Sequence, residues 1–214
     1  MIKMKTYKDD ILHVYNKSIA GYGIFKDFAN SQRFVDVLDY YNNKEPHKSF
    51  SNFLISDPDF SCSTLLYNKS SSIIKFISYC IMPDHYHLVV KILLDNLLSK
   101  YISDVENSFT KYFNFKFDRK GPLWQSSYKY VKIKTNEQLL HVTRYVHLNP
   151  TTSFLVEKPE DWIFSSYKSF ITDKSYLDYA TEISIKEPLH YKKFVEDQIG
   201  YQRKLKMIKK LIFD

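Results

Sequence analysis

Two histidines stand two residues apart in the segment Met82-Pro83-Asp84-His85-Tyr86-His87-Leu88-Val89-Val90. The apolar run that closes the segment reads as a β-strand. Side chains on a strand alternate between faces, so His85 and His87 share one face and Tyr86 takes the other. Two imidazoles one pleat apart can chelate a single metal ion; they also suit an ordinary polar strand end. A second group lies in Glu137–Pro150, EQLLHVTRYVHLNP, where His141, Tyr145 and Asn149 recur at every fourth position. Residues four apart share a helix face. These three form a polar stripe beside an apolar one, Leu139, Val142 and Val146, which is expected to face a sheet. The plain alternative is that Tyr145 is half-buried packing and that Asn149 only caps the helix end. Asn149 precedes Pro150, which biases it away from helical geometry.

The elements that must position these residues can be read along the chain. Ile11–Asn16 reads as a strand, Gly21–Gly23 as a turn, and Ser31–Asn43 as a helix with Phe34, Leu38 and Tyr41 at helical spacing. The polar stretch 43–72, punctuated by Pro46 and Pro58, has room for a short helix around Asn52–Ile55. Ile73–Ile81 and His85–Ile92 read as a hairpin broken by Met82-Pro83-Asp84. Leu94–Phe113 is an amphipathic helix, Asp118–Pro122 a basic turn, and Tyr128–Lys134 a strand. Thr135-x-x-Gln138 is a capping-box pattern, opening a helix that is expected to stop at Pro150. The order matches a β-α-β-β-α-β, ferredoxin-like antiparallel sheet of the α+β class. A helix carrying the second group follows it. Two units are expected: a domain over 1–155 and a helical C-terminal extension over 156–214, ending in the basic stretch Arg203–Ile212.

The chain has 214 residues and a formal net charge of +7, with 18 Tyr and 16 Phe but only 4 Gly. The basic balance is compatible with a polyanionic partner without identifying one. No glycine-rich phosphate loop is found. Cys62 and Cys80 form no CxxC pair, and Met1–Lys5 leads into Asp9-Asp10 rather than an apolar leader. The expectation is a reduced, cytoplasmic protein with no membrane partner.

Three blocks in order resemble the REP-associated tyrosine transposases, a branch of the single-tyrosine HUH transposases of insertion sequences. They are MPDHYHLVV at 82–90, GPLWQSSY at 121–128, and RYVHLNP at 144–150 followed by DWIFSSY at 161–167. A weaker likeness lies in the opening ILHVYNKS. Asp84 stands where the family commonly has Asn, and Lys17 where it commonly has Arg, a change in phosphate-clamping geometry.

The resemblance implies a metal-assisted DNA endonuclease and strand transferase acting on single strands beside a hairpin. Tyr145 would be the nucleophile, forming a 5′-phosphotyrosine link. His85, His87 and Asn149 would hold a divalent cation, Mg²⁺ or Mn²⁺ by the enzyme's chemistry, although ligand preference alone also admits Zn²⁺. An ordinary tyrosine titrates near 10, so forming its phenolate at pH 7 costs about 4 kcal/mol. A nearby cation must offset part of that, with Arg144 as a secondary candidate. His141 either relays a proton or is a surface histidine. Lys17, Lys120, Trp124, Gln125 and Lys129 are candidate DNA contacts, Trp124 alternatively plugging the sheet edge. Lys204, Lys206, Lys209 and Lys210 either meet duplex backbone or form a solvated face. Monomer and homodimer both stay open. Rival readings are a binding protein of the same fold that does not cut, an HxH hydrolase using water with Asp84 as its only obvious base, and a structural or RNA-binding ferredoxin-like domain.

Overall fold

The computed structural model describes residues 5–45 and 48–213, with side chains through 208. Pro46, Met1–Met4 and the side chains of Lys209 and Lys210 lie outside the described residues. Four strands, β1 (Ile11–Lys17), β2 (Ile74–Ile81), β3 (His85–Ile92) and β4 (Lys129–Ile133), form one antiparallel sheet in the order β2-β3-β1-β4. That is the expected ferredoxin-like arrangement. The hairpin β2–β3 closes tightly, with Met82 N donating to His85 O at 2.8 Å.

One face of the sheet carries Leu12, Val14, Tyr86, Leu88 and Val90, all buried. It packs against α1 (Phe28–Tyr41) and α3 (Leu98–Lys116). Phe34 of α1 meets Tyr86 with ring centroids 5.1 Å apart, and Tyr101 of α3 donates its hydroxyl to Leu38 O at 2.9 Å. The first helix begins three residues earlier than the apolar spacing suggests, because Asp27 caps it, accepting from Ala29 N at 2.7 Å. A short α2 (Phe50–Ser56) precedes β2. Asn42 ties the end of α1 to the start of β2: its side-chain oxygen accepts from Ile73 N and Ile74 N.

The other face is covered by α4 (Asn136–Thr152), which packs on β2 and β3. Thr135 caps it by accepting from Gln138 N at 3.1 Å, while Gln138 Oε1 reaches back to Lys134 N at 2.9 Å. The helix does not stop at Pro150; it runs through the proline to Thr152. Pro150 sits in the last turn, so its missing N–H forfeits a single bond, and Leu155 N closes the end onto Pro150 O at 3.0 Å. The buried side of α4 also differs from the expected stripe. Leu139 and Val146 are buried as expected, but Val142 is only half-buried, and Thr143 and His147 are fully buried in its place. The cause is the C-terminal part of the chain, which packs on a second side of α4. It comprises α5 (Tyr167–Thr172), α6 (Lys174–Tyr179), α7 (Pro188–Glu196) and α8 (Ile199–Phe213). His147 bonds there to Ser166 Oγ at 2.7 Å and to the Tyr191 hydroxyl at 2.8 Å.

The DWIFSSY block joins this part to the sheet. Ile81 N donates to Phe164 O, Ser166 N to Tyr79 O, and Trp162 Nε1 to Ile81 O. The block thus covers the outer edge of β2, satisfying donors and acceptors that an open edge would expose. Lys75 and Glu182 pair at 2.8 Å with side chains 10% and 9% exposed, a second tie between sheet and extension. Among the described residues no helix is long and apolar enough to cross a membrane.

Candidate active site

The face of the sheet under α4 presents His13, Tyr15 and Lys17 from β1 and His85 and His87 from β3. The register sets Tyr15 opposite His87 and Lys17 opposite His85. Lys129 of β4 lies opposite Tyr15 on the other side. Above them, Tyr145 projects from α4 and is 48% exposed. Together with Asn16, Gln125 and Ser126, these residues other than His13 line a cleft of about 280 Å³. Six of the side chains expected from sequence therefore meet here: Lys17, His85, His87, Gln125, Lys129 and Tyr145.

The two histidine rings lie edge to face with centroids 4.9 Å apart, and the Tyr145 ring is 5.4 Å from that of His87. Asp84 Oδ1 accepts from His85 Nδ1 at 2.6 Å, which leaves the other ring nitrogen of His85 bare. The second oxygen of Asp84 pairs with Lys17 Nζ at 3.3 Å. The hydrogen bond from His85, helped by Lys17, holds the Asp84 carboxyl down at about 2. His87 is buried, which pushes its pKa well below the ordinary value. Its Nδ1 lies 3.0 Å from Nε2 of His13, whose pKa burial lowers to about 4. The Nε2 nitrogen of His87 is buried with no hydrogen-bond partner. An unpaired buried polar atom is costly, and this one lies in the wall of a polar cleft.

Asn149 is buried one turn beyond Tyr145 and donates its side-chain amide to Tyr145 O at 3.3 Å, a bond that does not use its side-chain oxygen. It does not line the cleft. Among the described residues no group of three or more His, Cys, Asp or Glu side chains is arranged to hold a metal ion. A cation here would have two imidazoles and would need neutral oxygen donors or phosphate oxygens besides. The bare Nε2 of His87 and the Asp84-oriented ring of His85 fit such a group.

Four other sequence candidates, Trp124, Arg144, His141 and Lys120, do not line the cleft. Trp124 is half-buried, its ring within about 6 Å of Phe25, Phe34, Tyr86 and Phe109, and its indole N–H donates to Thr110 Oγ1 at 3.1 Å. It fills the opposite side of the sheet and holds its neighbour Gln125, whose N–H donates to Lys17 O at 2.9 Å. Arg144 turns toward α7, stacking 4.5 Å over Phe194 and meeting His141 Nδ1 at 2.7 Å. His141 is thereby turned along the helix rather than toward Tyr145. Lys120 is exposed in the turn after α3. Lys206 of α8 donates to Ser153 Oγ at 2.6 Å, and Lys204 is exposed.

His13, Tyr15 and Asn16 escaped the sequence reading. The signal for His13 and Tyr15 is the alternation of β1, which puts them on one face with Lys17. Asn16 points the other way, donating to Glu106 Oε1 at 2.8 Å and to Ser126 O at 3.0 Å. Burial raises the Glu106 pKa to about 7.

Residues 61–149 match the family model described as "Transposase IS200 like". No curated protein matches the sequence. Among solved structures, the chain is similar to a REP-associated tyrosine transposase bound to a REP hairpin. The TM-score is 0.58 at 14% sequence identity, covering 81% of this chain and 87% of that one. Sequence and fold thus agree with the motif resemblance: residues 61–149 match the IS200-like transposase model, and the fold is similar to that of a REP-associated tyrosine transposase.

Proposed function

We propose that the protein is a single-tyrosine DNA endonuclease and strand transferase, metal-assisted, that cuts single-stranded DNA beside a hairpin. The observation that carries this reading is the meeting of an exposed tyrosine, Tyr145, with two histidines that keep ring nitrogens free, in one cleft rimmed by Lys17 and Lys129. Tyr145 Oη attacks phosphorus. A bond forms between Oη and P, the bond from P to the 3′ oxygen breaks, the phenolic proton departs, and the 3′ oxygen leaves as a hydroxyl after gaining a proton. The 5′-phosphotyrosine link keeps the energy of the broken bond, so a second strand's 3′-hydroxyl can reverse the step without ATP.

His85 and His87 would hold a divalent cation, Mg²⁺ or Mn²⁺; Asn149, the third donor that the resemblance implies, is buried outside the cleft and would have to turn its side-chain oxygen toward them. A cation held there supplies Lewis-acid polarisation of the scissile phosphate. Lys17 and Lys129 attract the phosphate backbone, and Gln125, fixed by the buried Trp124, presents a polar side chain to the strand. The hairpin carried by the structurally similar transposase supports a hairpin-bearing partner. In this reading residues 1–155 are the catalytic unit. The extension from 156 braces α4 from behind. A water-activating hydrolase fits less well, because its only obvious base, Asp84, is bound to His85 and Lys17 and is held too acidic to take a proton.

The test is a denaturing gel of the protein with labelled hairpin-bearing single strands, drawn from the DNA flanking its gene, in Mg²⁺, Mn²⁺ or EDTA. A metal-dependent protein-linked band that Tyr145→Phe abolishes supports the proposal. Cleavage that survives Tyr145→Phe rejects it.

A further inference from the structure

We infer that His13 is a positioning residue for His87: it accepts the proton on His87 Nδ1 and so leaves the Nε2 lone pair of that ring free for a cation in the cleft. The inference rests on the metal-site reading above and assigns a role to a residue outside the HxH pair.

The two residues are 74 apart in the chain, and only the β1–β3 register brings them together. Tyr15 is directly opposite His87, and His13 lies one pleat further along the same face. The His13 and His87 rings are stacked, 5.1 Å between centroids and 29° between planes, with Nε2 of His13 3.0 Å from Nδ1 of His87. One proton lies between these nitrogens, and two arrangements are open. If His13 donates, the proton of the neutral His87 ring must sit on Nε2, where a buried N–H has no acceptor. If His87 donates, Nε2 carries a lone pair, and a cation is the partner that completes it. Only the second arrangement makes His87 a ligand.

The partner chosen at each histidine matches its surroundings. His85 is a quarter exposed and is oriented by a carboxylate, Asp84, which is itself solvated in part and paired with Lys17. His87 is 6% exposed, and His13 is 9% exposed. A carboxylate at position 13 would have to be desolvated, whereas a neutral imidazole accepts one hydrogen bond without burying a charge. The two candidate ligands are thus oriented from different elements, one from the hairpin turn and one from β1.

The tautomer can be read without any metal. In the full chain labelled with ¹⁵N-histidine and stripped of metal, long-range ¹⁵N–¹H correlation should show His87 protonated at Nδ1 and bare at Nε2. A proton on His87 Nε2 would overturn the inference. Mn²⁺ affinity, followed by the electron-spin resonance of free Mn²⁺, gives the second readout. His13→Phe should weaken binding by about 10–100-fold, and His13→Gln, whose amide oxygen can accept the same proton, should recover most of it. A folded His13→Phe protein that binds Mn²⁺ as the native chain does would also overturn it. If His13→Phe does not fold, the native tautomer and the His13→Gln affinity decide. Failure of the metal reading looks different: His87→Ala would bind Mn²⁺ unchanged, while the native tautomer still judges His13.

Discussion

Tyr145 on α4 stands edge-on to His87 on β3, their ring centroids 5.4 Å apart and their planes at 77°. The tyrosine is exposed and the histidine is buried. A helix that crosses the sheet therefore delivers an exposed tyrosine ring beside a buried imidazole. Both are anchored by backbone rather than by each other. The capped helix start at Thr135 and the β1–β3 register set the relationship from opposite sides.

Asp84 orients His85 through a bond that needs only an acceptor oxygen. Asp84→Asn keeps that oxygen and should bind Mn²⁺ within a few-fold of the native protein. Asp84→Ala leaves the His85 ring free to turn and should weaken binding by about tenfold or more, the usual size of a loss behind a metal ligand. Titration of both variants checks this; equal affinities would mean that Asp84 does not orient the ring.

Glu106 makes stability depend on pH. Its folded pKa is raised by burial from 4.5 to about 7, so the folded chain prefers the protonated acid. A raised pKa stabilises fully below the unfolded value, and that contribution is lost as pH rises through the folded one. Relative to Glu106→Gln, which keeps an acceptor and cannot ionise, the native protein should lose stability on the order of 3 kcal/mol between pH 4.5 and 7, and no more above. Urea midpoints of the two proteins across pH 4 to 8 measure it.

Lys75 is buried and Glu182 half-buried, its side chain 9% exposed, and Lys75 Nζ also donates to Tyr179 O at 2.7 Å. Lys75→Met strands the carboxylate with only Lys91, 3.3 Å away, and should cost about 3–5 kcal/mol, the range for a broken buried pair. Replacing both, Lys75→Met with Glu182→Leu, should restore most of the loss. Chemical denaturation of the single and double variants tests this coupling between sheet and extension.

The parts of the fold set by local pattern were legible in the sequence. The β2–β3 hairpin shows in its dense β-forming residues around a Pro-Asp break, and α4 in its Thr135 and Gln138. What tertiary contact decides was not. Arg144 and His141 have the spacing of a site, but Phe194, fifty residues on from Arg144, captures the guanidinium. Trp124 sits in a basic stretch and yet packs among aromatics, held there by its backbone bridge to Ser18 and its indole bond to Thr110. Pro150 signals a helix end, but tertiary packing carries α4 one further half-turn. The alternation of β1 gives the face of His13 but not its partner, since only strand register makes it a neighbour of His87.

The most direct test of the account is to identify the residue that carries DNA. The protein is incubated with hairpin-bearing single strands and Mn²⁺, the DNA is digested to a nucleotide stub, and the peptides are mapped by mass spectrometry. The account predicts a phosphonucleotide on Tyr145 and on no other tyrosine. A stub on Tyr15, the other tyrosine of the cleft, or cleaved DNA with no stub on any residue, would contradict it.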